Sequence, residues 1–103
     1  MQLLKKLFGL GPKTDYHELI RKGAIIVDVR TPGEYKSGHI KGSLNLPLDS
    51  LGKNLSELKK DKCIICCCAS GMRSGAAKRI LQSNGFNEVY NGGSWLRLQN
   101  KIS

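Results

Sequence analysis

The sequence predicts an α/β fold: a central parallel sheet of about five strands with helices on both faces. Three observations point that way. AIIVDV (residues 24–29) and CIICCC (63–68) are continuous apolar runs, the pattern of strands buried on both faces. The segment TPGE (31–34) opens a helix directly after the first run. Helical and extended segments then alternate to the end of the chain, as a parallel sheet covered by helices requires.

Each element has its own local signal. Asp15 with Glu18 three residues on has the spacing of a capping box, opening a short helix that Gly23 ends. In TPGE, Thr31 is the N-cap, Pro32 takes the first helical position and Glu34 reaches back; Gly38 closes that helix. SLNLPL (43–48) is a short strand stopped by Pro47. Between Asp49 and Lys60, Leu51, Leu55 and Leu58 recur at helical spacing. GAAKRILQSNG (75–85) is a helix with Gly85 past its end, and NEVY (87–90) is a last strand before NGGSW. Residues 1–12 stand apart as an amphipathic extension. Leu3, Leu4, Leu7, Phe8 and Leu10 share a face opposite Lys5 and Lys6, and Gly9, Gly11 and Pro12 break the pattern. The domain proper is then 13–103.

A chain of 103 residues builds one small domain, and 40% apolar with 24% charged residues is ordinary for a globular protein. No run approaches the roughly 20 apolar residues that cross a bilayer, and the N-terminus makes a poor secretion signal. A cytoplasmic location with reduced thiols follows as the expectation. The net charge of +9 comes from 17 basic and 8 acidic residues scattered along the chain. That pattern favours small anions or an acidic protein partner over nucleic acid or a membrane.

All four cysteines lie between positions 63 and 68. In a strand, Cys66 and Cys68 share one face while Cys63 and Cys67 share the other. A zinc site wants two separated ligand pairs, and only Cys63 and Cys66 have pair spacing, on opposite faces. No metal is therefore expected, and Cys63, Cys66 and Cys67 read as small buried hydrophobes. Cys68 differs. It ends a strand before a Gly-containing loop that feeds a helix, and in such sheets ligands bind beyond the strands' carboxyl ends. Inward-turned amides and the helix dipole favour thiolate over thiol there. Gly71 permits the turn, and Gly75 permits close packing of the helix start.

Together, VDVRTPGEYKSGHIKGSLNLPL (27–48), CASGMRS (68–74), GFNEVYNGG (85–93) and Trp95 resemble the single-domain rhodanese-like sulfurtransferases in order and over nearly all of residues 13–103. The resemblance implies that Cys68 is the catalytic nucleophile. It would take a sulfane sulfur from thiosulfate or a persulfide, hold it as a covalent persulfide, and pass it to a thiol or cyanide without a further cofactor. The amides of Ala69, Ser70, Gly71, Met72, Arg73 and Ser74 would form the anion-binding loop. A non-catalytic persulfide carrier or binding module is the alternative. Phosphatases of related fold place five residues between their cysteine and arginine. Here four separate Cys68 from Arg73, which suits a sulfur anion better than a phosphate. Arg73 either faces an anionic donor or pairs with a carboxylate. Asp28, ending a buried strand, needs amides or an arginine as partners. Arg30 and Glu34 are expected to pair, His39 to serve as a hydrogen-bonded scaffold rather than a base, and Trp95 to plug the core. Ser94 departs from the family's apolar continuation after NGG, which bears on the pocket rim.

Overall fold

The computed structural model describes residues 13–103 and contains four strands: β1 (Ile25–Asp28), β2 (Leu44–Asn45), β3 (Ile64–Cys68) and β4 (Val89–Ser94). They form one sheet in the order β2-β1-β3-β4, every pair parallel. The parallel α/β architecture is as the apolar runs foretold, with four strands among the described residues rather than about five. The expected amphipathic segment 1–12 lies outside the described residues.

β1 and β3 occupy the centre because only they are apolar on both faces. All five residues of β3 are buried. Ile64, Cys66 and Cys68 face one cluster with Val27, Ala77, Leu81 and Phe86. Ile65 and Cys67 face a second with Ile26, Ile40 and Leu98. Helix α3 (Met72–Ser83) brings Ala77 and Leu81 to the first cluster. Helices α1 (Tyr16–Arg21) and α4 (Trp95–Ile102) cover the second face with Tyr16, Leu19, Trp95 and Leu98.

Local capping chemistry starts α1 and α2. Thr31 and Glu34 complete a reciprocal box at the head of α2 (Pro32–Lys36): the Glu34 N–H donates to Thr31 Oγ1 at 3.3 Å and the Thr31 N–H to Glu34 Oε1 at 3.0 Å. At α1 only half the box forms. Asp15 accepts the Glu18 N–H at 3.1 Å, whereas the Glu18 carboxylate turns to Arg21 at 2.7 Å.

Two expectations are corrected, and one element is added. Leu51 and Leu55 sit on two 3₁₀ turns, Leu48–Lys53 and Leu55–Glu57, and Leu58 follows the second in extended conformation, rather than all three lying on an α-helix. Asn54 is the cause: its side-chain amide takes the Ser50 carbonyl at 3.1 Å, while its backbone N–H bonds Leu51, three residues back. Leu51 and Leu58 still reach the core. The last strand does not stop at Tyr90 but continues to Ser94 around a bulge, Asn91 pairing with Cys66 and Gly93 with Cys67. Gly92 is the extra residue, and a Cβ there would meet Ile65 Cγ2 at 2.9 Å and the Cys66 carbonyl at 3.0 Å. Finally, the chain ends in a helix the sequence reading passed over. Trp95, Leu98 and Ile102 do carry its apolar spacing, and Ser94 caps it.

Candidate active site

Cys68 ends β3, and α3 starts four residues later at Met72. Only Ala69, Ser70 and Gly71 are therefore true loop, and Met72, Arg73 and Ser74 form the first helical turn. The return is tight because Gly71 adopts φ +107°, a left-handed conformation that strains any residue with a Cβ. A Cβ there would also lie 3.4 Å from Gly93 Cα. In this conformation the Gly71 N–H points back at Cys68 Sγ, 2.9 Å away. The Ser74 N–H and hydroxyl each approach the same sulfur at 3.4 Å.

The residue is 1% exposed. Burial, the largest single influence, pushes the Cys68 thiol up. The Ser74 hydroxyl and the N–H groups of Ser74, Gly71 and Ser70 together outweigh it, so its pKa falls below the ordinary cysteine value. The other three cysteines move oppositely. Burial drives Cys66 and Cys67 to about 12, and burial with Glu88 nearby takes Cys63 to about 11. All four are unpaired thiols. Among the described residues, no three His, Cys, Asp or Glu side chains converge on a metal-sized site.

Asn91, which the sequence reading did not single out, holds this loop from behind. Its Oδ1 accepts from the Ser74 hydroxyl at 2.6 Å and the Gly93 N–H at 2.9 Å, and its Nδ2 donates to the Gly71 carbonyl at 3.1 Å. The Gly93 and Gly71 contacts permit only this orientation of the amide. Gly75 leaves it room: a Cβ there would come within 3.2 Å of Asn91 Nδ2. The Ser74 hydroxyl has one proton to give. A Cys68 thiol can donate its S–H to Ser74 Oγ while the hydroxyl proton goes to Asn91. A thiolate can only accept, and so competes with Asn91 for the hydroxyl proton. The only sequence signal for Asn91 was its place before two glycines.

The neighbouring charges pair differently from expectation. Arg30 does not bind Glu34. Its guanidinium donates to buried Asp28 at 2.7 and 2.9 Å and to the Gly38 carbonyl at 2.7 Å. A buried carboxylate without a partner costs far more than an exposed one, so Asp28 claims the arginine. Glu34 instead makes a two-point pair with Arg73 at 2.7 and 2.9 Å, joining α2 to the first turn of α3. Arg73 beside it, together with the Thr31 cap, holds the Glu34 carboxyl down at about 2. Of the two alternatives for Arg73, the structure shows the carboxylate pair. His39 is exposed, stacked on Tyr35 with centroids 3.7 Å apart, and its Nδ1 bonds the Tyr35 carbonyl at 2.7 Å. Trp95 is half-buried rather than a full plug, with the Arg30 guanidinium 4.7 Å above its ring.

Beside the loop lies an open groove of about 450 Å³. It is bounded by Ala69 and Ser70, by the 92–94 end of β4, and by Arg97 and Lys101 of α4. A family model, the Rhodanese-like domain, matches residues 13–96. The chain belongs to the rhodanese-like domain family. It is 40% identical over 82 residues to the uncharacterized protein YqhL of Bacillus subtilis, a match spanning 77% of this chain and 65% of YqhL. Similarity to the thiosulfate sulfurtransferase GlpE of Stutzerimonas stutzeri is 37% identity over 79 residues, 77% of this chain and 72% of GlpE. Among solved structures, a rhodanese with anions from Escherichia coli superimposes with a TM-score of 0.68 at 30% identity, covering 72% of this chain and 89% of that one. In this rhodanese-like domain, no helix among the described residues is long and apolar enough to cross a membrane.

Proposed function

We propose that this rhodanese-like domain is a sulfurtransferase that carries sulfur as a persulfide on Cys68. The observation behind this reading is the sulfur's surroundings, with the Gly71 N–H at 2.9 Å and the Ser74 N–H and hydroxyl at 3.4 Å. Such a cradle lowers the pKa of the attacking thiol and holds the negative charge of the loaded sulfur. In the first half-reaction the Cys68 thiolate attacks the outer sulfur of thiosulfate. The new S–S bond forms as the old one breaks, and sulfite leaves with the electron pair. In the second, cyanide or a thiolate attacks the outer sulfur of the persulfide, and the Cys68 thiolate returns. The reaction so written uses no metal or organic cofactor. Four unpaired thiols suit a reducing compartment such as the cytoplasm.

Two features favour sulfur over phosphate. The loop between β3 and α3 is only three residues long. Arg73, in the first turn of α3, is held by Glu34, leaving amides rather than a guanidinium to meet an anion.

Thiosulfate treatment followed by peptide mapping tests the proposal. A gain of about 32 Da, one sulfur, is expected on the Cys68 peptide and is removable by dithiothreitol. Thiocyanate should form on adding cyanide, and Cys68→Ser should abolish both. Loading without turnover would make the chain a persulfide carrier instead. Loading on Cys67 with Cys68 unmodified would sink the assignment.

A further inference from the structure

The chain contains two Asn-Gly pairs, Asn84-Gly85 and Asn91-Gly92. In such a pair the following backbone nitrogen is unhindered by a side chain and its chain turns freely, so it reaches the asparagine amide more easily than another residue would. The fold treats the two pairs differently. The Asn91 side chain folds back along its own strand: the Gly93 N–H donates to its Oδ1 at 2.9 Å, an Asx turn that lays the side-chain amide over the Gly92 peptide. The same oxygen accepts the Ser74 hydroxyl at 2.6 Å. Two donors on one carbonyl oxygen draw charge onto it and leave its carbon, Cγ, electron-poor. They also stand where an oxyanion forms when a nucleophile adds to that carbon. Asn84 lacks this arrangement. Its Oδ1 has no donor among the described residues, its Nδ2 donates to the Ile80 carbonyl at 2.8 Å, and the Gly85 N–H is engaged by the Gln82 carbonyl at 3.2 Å.

Access and strand geometry favour the same position. Asn91 is exposed, so water reaches its amide. Gly92 is the bulge residue that β3 does not match, and its peptide therefore lies outside the regular ladder. We propose that Asn91 is a site of self-modification that disables the Cys68 cradle. The Gly92 nitrogen, losing its proton to base, adds to Asn91 Cγ while Ser74 and Gly93 hold the oxyanion on Oδ1. The bond from Cγ to Nδ2 breaks, ammonia leaves with the proton, and a cyclic succinimide remains. Water then opens the ring to aspartate or, when the main-chain carbonyl is the one released, to isoaspartate. One water is taken up and one ammonia released, with no change of oxidation state.

Either product undoes the support behind the sulfur. A carboxylate cannot donate to the Gly71 carbonyl, which Asn91 Nδ2 reaches at 3.1 Å, so Gly71 loses the anchor that aims its N–H at Cys68 Sγ. The carboxylate also sets a negative charge against Ser74, one hydrogen bond from the sulfur, and that disfavours the thiolate. Isoaspartate goes further, because it adds a backbone carbon to β4 where Asn91 pairs with Cys66.

Peptide mapping of the full chain, aged in mildly alkaline buffer, follows conversion at both pairs. In the folded protein Asn91 should convert at least about tenfold faster than Asn84. In urea, where neither keeps its folded neighbours, the ratio should fall to about one. Equal ratios in the two conditions, or a folded Asn91 slower than Asn84, would show that the bonds to Oδ1 protect the amide, and would overturn the proposal. Ser74→Ala removes one oxyanion donor and should slow folded Asn91 about tenfold while leaving Asn84 unchanged; acceleration refutes the activating role. The consequence for Cys68 is read by ultraviolet thiolate titration, which needs no sulfur transfer and so stands apart from the sulfurtransferase reading. Aged protein should show a second Cys68 population with its inflection about one pH unit higher, growing in step with converted Asn91. Conversion that leaves the Cys68 inflection unmoved would sever the amide from the sulfur and defeat the inference.

Discussion

Replacing Ser74 with alanine isolates the part of the Cys68 cradle that a side chain supplies. The substitution removes the hydroxyl 3.4 Å from the sulfur and leaves the backbone N–H groups of Ser70, Gly71 and Ser74 in place. A hydrogen bond to a charged group is worth about 1.5–3 kcal/mol. At 3.4 Å, and with Asn91 competing for the same proton at 2.6 Å, the lower end applies. About 1.5 kcal/mol lost from the thiolate alone raises its titration by about one pH unit. Ultraviolet thiolate absorbance against pH measures this without requiring a reagent to reach the sulfur. The Cys68 step is separable because Cys63, Cys66 and Cys67 titrate at about 11, 12 and 12. An unchanged inflection in a folded Ser74→Ala protein would show that the hydroxyl proton stays on Asn91 in both states, and would refute the proton-switching argument.

Other substitutions probe the remaining supports. Asn91→Asp should raise the Cys68 inflection by at least about one pH unit: it adds a negative charge, holds the Ser74 proton more firmly and loses the donor to the Gly71 carbonyl. A lowered inflection would count against the clamp. Glu34→Gln should change the acid limb of stability. The folded carboxyl titrates at about 2 against 4.5 ordinarily, so its stabilisation is complete above about 4.5 and is lost as pH falls toward 2. The variant should accordingly show a shallower decline of Tm across that window, and an identical decline would remove the Glu34–Arg73 pair from the account. Gly92→Ala forces a methyl to 2.9 Å from Ile65 and 3.0 Å from the Cys66 carbonyl. It should cost about 3 kcal/mol in urea unfolding. A cost under about 0.5 kcal/mol would mean that β4 can move aside.

Much of the architecture was legible because it rests on local rules. β1 and β3 announce themselves as apolar runs, the first interrupted only by Asp28, of a kind that only strands covered on both faces can tolerate. Thr31, Pro32 and Glu34 mark a helix start with three neighbouring residues, and that signal needs no tertiary partner. Where side chains compete with the backbone, the pattern misled: Asn54 turned a leucine periodicity into 3₁₀ turns by taking the carbonyl a continuing α-helix would use. The Arg30–Glu34 expectation failed for a different reason. Spacing treats both as exposed neighbours, whereas Asp28 is fully buried two residues from Arg30 and has the stronger claim.

The sequence by itself determined that Cys68 stands at the end of a buried strand and at the mouth of a glycine turn, since strand period and Gly71 are local facts. It also determined the faces of Cys66 and Cys67, through the two-residue alternation of β3. Only the tertiary structure decided what surrounds that sulfur. Asn91 reaches Ser74 and Gly71 from 17 and 20 residues away, Glu34 reaches Arg73 across 39, and Arg97 comes to the loop's edge because Ser94 pairs with Cys68. Such contacts depend on strand order and on the bulge at Gly92. These arise when separate segments pack together, and no local rule encodes them.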